Sequence, residues 1–301
     1  MFFNCMETNN NITGISVVIV AYNSSSEISE CILSVYENND ISDELEIIVV
    51  DNNSNDYQQL SSLINEKFPK VILLRNETNG GYGQGNNIGI ARASKPIIMI
   101  MNPDVRLFEP VFSHAIEKYR RNPRLMLLGM QQYNTRETKG APFLLKFPTY
   151  LNLLLYKICV RFNLYIPKLY FISGACFFLH KKDFLKIGGF DENIFLYGEE
   201  TDINERILKH KSKIIFDSSL GYIHPMHNRG DNVITMQRGL KSALYLCDKF
   251  GWSKTKLVKT DMRYYRLLLK RSTRRNDNKQ SEAYKEILEY INATLNELSS
   301  Q

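Results

Sequence analysis

A short apolar run, Ile97–Met101, is stopped abruptly by Asn102, Pro103 and Asp104. A run this short and this apolar is typical of a strand that is buried on both faces of a sheet. Proline ends the pairing of such a strand, and ligands of open α/β sheets bind beyond the carboxyl ends of the strands. The motif therefore predicts a central strand of an α/β protein with the Asp104 carboxylate at its tip.

The first half of the chain alternates between strand-like and helix-like patterns. The predicted strands are 15–20, 45–50, 71–74 and 97–101, and the predicted helices are 27–36, 58–67, 86–93 and 111–120. Strands that alternate with short helices imply right-handed crossovers, and hence a mostly parallel, doubly wound sheet flanked by helices. Ser24–Ser26 are expected to cap the first helix.

The second half is less regular. It predicts an amphipathic, partly basic insertion at 143–167, a strand at 171–179, a short helix at 181–187, a helix at 200–211 and a last short strand at 213–216. Tyr133 and Arg136 are expected in a loop. From Asn232 onwards the pattern is helical and ends in a polar tail. We expect one α/β domain over 1–253 and a basic helical C-terminal extension over 254–301.

Composition is that of a soluble globular protein, with 44% hydrophobic and 23% charged residues. The five cysteines form no CxxC pair, which favours a reducing compartment over a disulfide framework or a zinc site. No signal peptide is recognised, and Lys157 and Arg161 interrupt the nearest candidate for a membrane span. We expect a cytoplasmic location, with a peripheral position at the inner face of the cell membrane as one form of it.

Positive charge is concentrated near the C-terminus. Between Lys254 and Lys279 there are ten Lys or Arg and only two Asp, in a chain of net charge +6. Such a segment suits an anionic membrane surface or nucleic acid, and equally a solvated helix face.

Acidic side chains recur at the predicted element boundaries. Asp51 ends another apolar run, and Glu199, Glu200 and Asp202 begin a predicted helix. Three acidic sites separated by Asn-rich loops suit a nucleotide and a metal better than they suit packing. Asp51 could accept the imino N–H of a pyrimidine, because an ionised carboxylate only accepts hydrogen bonds.

The loops beside these acids could supply the rest of a nucleotide site. Ala21, Tyr22 and Asn23 end the first strand with an aromatic ring and an amide. The glycine-rich loop 79–87 could bring backbone N–H groups to an anion at a helix start. It is not a dinucleotide fingerprint, because that motif belongs in the first strand–helix turn and has a different glycine spacing.

Taken in order, these motifs resemble those of the family-2 inverting glycosyltransferases, and most closely a rhamnosyltransferase-like branch. The resemblance is carried by VVIVAYN at 17–23, IVVDNNS at 48–54, NGG at 79–81, GNN at 85–87, NPD at 102–104, GACF at 174–177, GGFDE at 188–192 and YGEETD at 197–202. It extends from about Ile15 to about His227 and leaves the C-terminal segment unmatched.

The resemblance implies a GT-A fold in which 12–105 bind a nucleotide sugar and 106–253 shape the acceptor pocket. Asp104 would be the main protein ligand of Mg²⁺ or Mn²⁺, joined by His224, because Asn102 replaces the first Asp of the family's Asp-x-Asp motif. His227 and Arg229 would contact the diphosphate or the acceptor. The implied nucleotide-sugar contacts are Ala21, Tyr22, Asn23, Asp51, Asn53, Asn79, Gly80, Gly85, Asn86, Asn102 and Asp104.

The resemblance also implies a catalytic base. Glu200 occupies the place of the family's catalytic Asp, with an arm one methylene longer, and Glu199 is the second candidate. Asp202 would orient its neighbours or contact the diphosphate or acceptor. The expected reaction moves a sugar, with rhamnose favoured by the branch, from a dTDP- or UDP-linked donor to a surface glycan or lipid-linked acceptor.

Two other classes stay open at this point. A nucleotidyltransferase would want a basic glycine-rich loop after the first strand, where this chain has Tyr22, Asn23 and Ser24. A non-enzymatic module that binds anions or a membrane surface would rest on the basic segment 254–279. No nucleic-acid partner is expected.

Overall fold

A computed structural model of the chain describes residues 12–225 and 232–300. Internal contacts divide the chain into two compact units. The sheet unit contains 12–144, Phe171–Phe195 and Glu199–Pro225, and the helical unit contains Leu145–Tyr170, Leu196–Gly198 and 232–300. The helical unit thus includes segments upstream of residue 253. The domain boundary expected there stays a prediction, because compactness does not show which part folds alone.

Strands and helices follow one another through the whole described chain. The strands are β1 (Ile15–Ala21), β2 (Leu45–Asp51), β3 (Ile72–Arg75), β4 (Ile97–Met101), β5 (Arg106–Leu107), β6 (Leu125–Thr135), β7 (Thr138–Lys139), β8 (Phe143–Leu145), β9 (Tyr170–Ile172), β10 (Cys176–His180) and β11 (Lys213–Ile223). The helices are α1 (Ile28–Glu37), α2 (Tyr57–Lys67), α3 (Tyr82–Arg92), α4 (Phe112–Arg121), α5 (Tyr150–Arg161), α6 (Lys181–Lys186), α7 (Glu199–Lys209), α8 (Val233–Phe250), α9 (Lys254–Arg274) and α10 (Asn278–Ser299).

The main sheet has the strand order β3-β2-β1-β4-β10-β6-β11-β5, with β7 paired to β6. Strands β3, β2, β1 and β4 are parallel, as are β6 and β11. Strand β10 runs antiparallel to both of its neighbours, and β5 runs antiparallel to β11. The predicted mostly parallel, doubly wound sheet with helices around it is confirmed, and β10 makes it a mixed sheet.

The sheet curls back on itself. Only residues 102–105 separate β4 from β5, although three strands lie between them in the sheet. Four strand spacings would span ~19 Å in a flat sheet, and five fully extended residue steps span only ~17 Å. The link is also folded into a turn, in which the Val105 N–H donates to the Asn102 carbonyl at 3.1 Å. Curling therefore returns β11 and β5 towards the tip of β4.

Strand β1 is buried because helices and neighbouring strands cover it. Val17, Ile19 and Met99 belong to one core cluster and are inaccessible to solvent. Helix α3 lies unusually close to β1, since a Cβ added at Gly85 would be 2.7 Å from Val20 Cγ1 and one at Gly89 would overlap Val18. Glycines at these positions let the helix backbone approach the strand, which fixes the glycine-rich loop above the end of β1.

Several expected elements differ from the structure. Strand β6 was not expected, and it places Tyr133 in the sheet rather than in a loop, with Arg136 in the turn before β7. The strand expected at 171–179 is two strands, β9 and β10, separated by Ser173–Ala175. The last strand continues to Ile223, because beyond an irregularity between Asp217 and Gly221 it pairs with β6 again. The pairing partners of these strands are distant in sequence, so the local pattern does not fix where each strand begins and ends.

The expected serine cap of α1 is wrong. The helix is preceded by Glu27, and no side chain caps it. The Ser24 carbonyl instead accepts hydrogen bonds from the Glu27 and Ile28 amides at 3.1 and 3.2 Å. The Ser25 amide is bonded to Asp56 at 2.9 Å, which ties the loop to the start of α2.

The helical unit has its own core. Side chains from α8, α9 and α10 meet around Met236, Leu240, Val258, Met262, Ile287 and Ile291. Helices are thus present in three pieces after Asn232, as expected. No helix within the described residues combines the length and the apolar character needed to cross a bilayer.

Candidate active site

Candidate residues from three strands lie along one edge of the sheet. Ala21 pairs with Asp51 across β1 and β2, and Ile19 pairs with Met101 across β1 and β4. Because these strands are parallel neighbours, the loops that follow them begin side by side. Asp51 and Asn102 therefore lie at the same edge as the expected stacking ring of Tyr22.

Asp51 is a buried carboxylate with one oxygen in use. The Ser54 N–H donates to Oδ2 at 3.2 Å, whereas Oδ1 accepts no hydrogen bond among the described residues. A buried acceptor without a donor is unfavourable, and a ligand N–H would satisfy it. The side chain has no surface open to solvent, so contact with a base requires the surrounding loops to shift.

The loops after β1 and β2 hold each other in place. Asn23 and Asn53 have φ of 51° and 62°, in the left-handed region that asparagine tolerates better than most residues. The Asn23 N–H donates to Ser54 Oγ at 3.0 Å, and Asn23 Oδ1 accepts from the Asn55 N–H at 2.9 Å. Tyr22, 51% exposed, is thereby displayed at the rim beside these loops.

An amide network fixes the glycine-rich loop. Its two central residues, Asn52 and Asn76, were not among the predicted site residues. Asn52 Nδ2 donates to Asn79 Oδ1 at 2.9 Å and to the Gly81 carbonyl at 3.0 Å. Asn76 Nδ2 donates to Asn52 Oδ1 at 2.8 Å and to Gln84 Oε1 at 2.9 Å. The Asn-rich composition after β2 was the available signal, but it did not separate ligand contacts from loop supports.

The glycine-rich loop does not form the expected cradle of backbone amides. The N–H groups of Gly80, Gly81 and Tyr82 donate to Thr78 O, Asn79 Oδ1 and Phe195 O at 3.1, 3.0 and 3.1 Å. Helix α3 also begins at Tyr82 rather than at residue 86, so Asn86 lies inside the helix and is buried. The predicted donor contacts of Asn79, Gly80, Gly85 and Asn86 stay predictions.

Asp104 and His224 are brought together by the curl of the sheet. Ile223 pairs with Arg106 across β11 and β5, and His224 Nε2 lies 3.3 Å from Asp104 Oδ1. The turn that carries Asp104 is held by Arg106, whose guanidinium donates to the Pro103 and Glu27 carbonyls at 2.9 Å each. The two residues expected to share a metal therefore lie side by side, although 119 positions separate them in the printed sequence.

The Asp104–His224 pair fits a divalent cation whose remaining ligands come from a substrate and water. Mg²⁺ in particular is usually bound through one or two carboxylates and substrate phosphates. His224 Nδ1 is buried without a hydrogen-bond partner in the described part of the chain. Within 12–225 and 232–300, no group of three or more His, Cys, Asp or Glu is arranged to hold a metal. His227 and Arg229 lie outside the described residues.

Glu200 is linked to the tip of β4 through the start of β10. Its carboxylate lies against Gly174, where an added Cβ would overlap Oε1. The next residue, Ala175, accepts a hydrogen bond from the Asn102 N–H at 2.9 Å. Because β10 runs against β4, its first residues meet the last residues of β4, and the candidate base comes to the edge that carries Asp104.

Tyr82 supports this arrangement. Its hydroxyl donates to the Gly174 carbonyl at 2.6 Å. Burial, and then the negative charges of Glu200 and Glu199, raise the pKa of Tyr82 well above its usual value. The phenol therefore stays protonated and remains a donor at neutral pH.

Asp202 is part of a buried ion pair on α7. Its Oδ2 accepts from Arg206 Nε at 2.8 Å and from the guanidinium NH2 group at 2.6 Å. Arg206 also donates to the Ile187 carbonyl at 2.8 Å, which anchors the helix. This agrees with an orienting role for Asp202, and its predicted contact with diphosphate or acceptor stays a prediction. Glu199 is buried at the start of the same helix.

The mixed α/β sheet, with acids and amides gathered at its strand tips, fits the class of GT-A glycosyltransferases. A family model described as Glycosyl transferase family 2 matches residues 16–188, more than half of the chain. The chain belongs to glycosyl transferase family 2. The expected family and its enzyme class are thereby confirmed.

A curated relative carries the branch resemblance. The chain is 24% identical over 238 residues to N-acetylglucosaminyl-diphospho-decaprenol L-rhamnosyltransferase of Mycobacterium tuberculosis, in strains CDC 1551 / Oshkosh and ATCC 25618 / H37Rv. The match covers 68% of this chain and 76% of the relative. The rhamnosyltransferase-like resemblance is therefore confirmed at the level of similarity.

Solved structures share the fold. The mannosyltransferase PcManGT from Pyrobaculum calidifontis, in complex with GDP-Man and Mn²⁺, has a TM-score of 0.57 and 15% identity over 76% of this chain and 61% of its own. GalNAc-T7 with UDP, GalNAc and Mn²⁺ has a TM-score of 0.60 and 17% identity over 78% of this chain and 48% of its own. This chain thus spans less than two thirds of either, and at these identities the likeness shows the fold alone.

Proposed function

We propose that this protein transfers a sugar from a nucleoside diphosphate donor to a surface glycan or lipid-linked acceptor, with inversion at the anomeric carbon. The observation that carries the proposal is the arrangement of Asp104, His224 and Glu200 around the junction of β4 and β10. Asp51 lies at the same sheet edge, which gives a donor one continuous border along which to bind.

The donor is a pyrimidine nucleotide sugar, dTDP- or UDP-linked. The unused Oδ1 of Asp51 supports this, because the imino N–H of uracil or thymine is a donor and Oδ1 needs one. Tyr22 supplies a ring for stacking. The likeness to a rhamnosyltransferase supports rhamnose as the sugar, and Ala21, Asn23, Asn53 and Asn102 are the further donor contacts.

Asp104 and His224 would hold Mg²⁺ or Mn²⁺ together with the donor diphosphate. A bound cation of this kind offsets the negative charge on the departing nucleoside diphosphate. The Mn²⁺ bound by two proteins of similar fold supports the assignment. His227 and Arg229 would contact the diphosphate or acceptor from the segment that follows His224.

Glu200 acts as the general base. Its carboxylate takes the proton of the acceptor hydroxyl while that oxygen bonds to the anomeric carbon, and the bond from this carbon to the diphosphate oxygen breaks. Attack opposite to the leaving group inverts the anomeric configuration. A positioned base contributes ~10²–10⁴-fold in rate. Because Gly174 has no side chain, the Glu200 carboxylate fits against it. Glu199 is the second candidate.

A donor screen followed by product analysis tests the proposal. With Mn²⁺ or Mg²⁺ present, dTDP- or UDP-sugars should raise the melting temperature more than GDP-sugars do. The transferred sugar should then show, by NMR, the anomeric configuration opposite to that of the donor. Retained configuration would disprove the inverting mechanism, and equal stabilisation by all nucleotides would disprove the role of Asp51.

The expected surroundings follow from the acceptor. A lipid-linked acceptor is presented at a membrane, so the enzyme acts in the cytoplasm at the inner membrane face, as a peripheral protein. Measuring the fraction of the protein that sediments with cell membranes, before and after a salt wash, tests this location.

A further inference from the structure

We infer that the helical unit carries a docking surface for an anionic lipid bilayer, in which α5 enters the interface and α9 supplies the electrostatic attraction. The inference concerns which residues meet the lipid and does not rest on the sugar-transfer chemistry. Each of its two parts is visible in the exposure pattern of one helix.

Helix α5 turns an apolar face outward. Leu151, Leu154, Ile158 and Phe162 form this apolar stripe and are 73%, 48%, 53% and 63% exposed. Their spacing of three, four and four residues places them on one side of the helix and its C-terminal end. Cys159, about a quarter-turn around the helix from the stripe, is buried, so the helix already has a packed inner side. The stripe is therefore a second apolar face, and exposed contiguous patches of this kind mark interaction sites.

The charged residues in the segment that contains the stripe are all basic. The segment 145–170 contains four Lys or Arg and no Asp or Glu. Lys157 and Arg161 are exposed along one flank of the stripe. An apolar face bordered by Lys and Arg is the pattern of helices that lie in the plane of a membrane interface. Nucleic acid would match the charge but offers no apolar phase for four aliphatic or aromatic side chains.

Helix α9 carries a line of positive charge. Lys256, Lys259, Arg263, Arg266 and Lys270 form this basic stripe, and all five are exposed. Alternating steps of three and four residues keep them on one face over about 21 Å of helix. Each Lys or Arg near an anionic leaflet adds attraction that falls off within a Debye length.

The two stripes belong to one region of the helical unit. A groove of about 460 Å³ is lined by Thr149 and Asn152 at the start of α5, by Trp252, and by Lys256 of α9. A second groove of about 300 Å³ is lined by Leu153 of α5 and by Arg263 of α9. Lys256 and Arg263 of the basic stripe therefore line grooves that residues of α5 also line. Trp252 adds an aromatic ring of the kind that is enriched at membrane interfaces.

Flotation of the full chain with vesicles tests the inference. The protein should float with phosphatidylcholine vesicles that contain a third of phosphatidylglycerol, and much less with pure phosphatidylcholine or at high salt. Leu154→Ser should weaken partitioning about tenfold, because a large aliphatic side chain no longer enters the interface. Leu185→Ser, which changes a leucine of the same 48% exposure on α6, should leave it unchanged.

The charge contribution has its own pair of variants. Lys259→Ser and Arg266→Ser should each weaken binding to anionic vesicles about fivefold, whereas Lys182→Ser, an exposed lysine on α6, should have no effect. Melting temperatures of all variants show whether each is folded. Replacing the vesicles with a single-stranded oligonucleotide should give little binding.

Three outcomes would overturn the inference. Equal flotation with neutral and anionic vesicles removes the electrostatic part, and equal behaviour of Leu154→Ser and Leu185→Ser removes the insertion of α5. A solution dimer that Leu154→Ser converts to monomer assigns the apolar stripe to a second copy of the chain. The measurement uses neither donor nor acceptor, so its failure is distinguishable from a failure of sugar transfer.

Discussion

The sheet unit and the helical unit differ in what they turn towards the solvent. In the sheet unit, strand pairing brings Asp51, Asp104 and His224 to the strand tips, and the Glu200 carboxylate lies against Gly174. In the helical unit, the apolar stripe of α5 and the basic stripe of α9 each follow the period of a single helix. The comparison shows that groups from distant parts of the chain meet through strand pairing, whereas an exposed stripe needs only the period of one helix.

The largest expected effect is on the sheet unit's candidate base. Glu200→Gln should lower kcat by ~10²–10⁴-fold and leave donor binding unchanged, because the amide keeps the shape but cannot take a proton. Glu205→Gln, on another face of α7, should keep its turnover. Steady-state kinetics and donor titration provide the test. Normal turnover by Glu200→Gln would show that Glu200 is not the base and that Glu199 or another residue has this role.

The next largest effect is expected on the free energy of unfolding when the buried Asp202–Arg206 ion pair on α7 is broken. Arg206→Ala should reduce the free energy of unfolding by about 3–5 kcal/mol, because Asp202 would be left charged and buried. Arg121→Ala breaks an exposed pair with Glu117 on α4 and should cost less than about 1 kcal/mol. Denaturant unfolding of the two variants measures both. Equal losses would mean that the Asp202 pair is solvated and does not anchor the helix.

The Asp104–His224 pair can be compared with a second Asp–His pair, Asp183–His180, which lies near the beginning of β4 rather than near its end. Asp104→Ala should weaken Mn²⁺-dependent donor binding by about 10–100-fold, the range for losing a contact to a charged group. Asp183 bonds His180 at 2.8 Å, and His180 pairs with Ile97 at the start of β4, so Asp183→Ala removes an equivalent pair away from the site. Isothermal titration with and without Mn²⁺ should separate the two. Equal weakening would show that the pair is structural.

The smallest expected effects are changes in stability when a glycine in each unit is replaced by alanine. Gly89→Ala should destabilise the protein by about 1–3 kcal/mol, because α3 is pressed against Val18. Gly239→Ala on α8 meets only an ordinary contact at 3.9 Å, and it should be neutral or stabilise by up to about 1 kcal/mol through helix propensity. Opposite shifts in melting temperature are the expected result, and shifts of the same sign would contradict the close packing of α3.

Much of the sheet could be predicted from the sequence, because strands β1, β2 and β4 are short apolar runs that end at polar residues. Strand β6 could not, since Gly129 interrupts its apolar run, and the reason for that glycine is the close approach of Ile172 from a distant segment. The family resemblance supplied Asp104, His224 and Glu200 as candidates, whereas their proximity depends on the curl of the sheet and the reversed direction of β10.

The support of the site was less predictable than its candidate ligands. Asn52 and Asn76 bind loop groups, and nothing in an Asn-rich stretch distinguishes this from binding a ligand. The outward apolar face of α5 was also hidden. Apolar residues lie on more than one side of this helix, and the sequence does not show which side packs inward. In the structure Cys159 is on the buried side.

The hydrogen-bond register between the antiparallel strands β10 and β4 fixes the position of the residues that precede β10. Cys176 is aligned with Met101, and this alignment sets how far Gly174, which the Glu200 carboxylate of α7 contacts, extends past the tip of β4. A slip by one residue would turn every β10 side chain to the opposite face. It would also move Gly174, against which the Glu200 carboxylate lies, by about 3.4 Å along β4. Insertions within β10 should therefore abolish turnover even in variants that still fold.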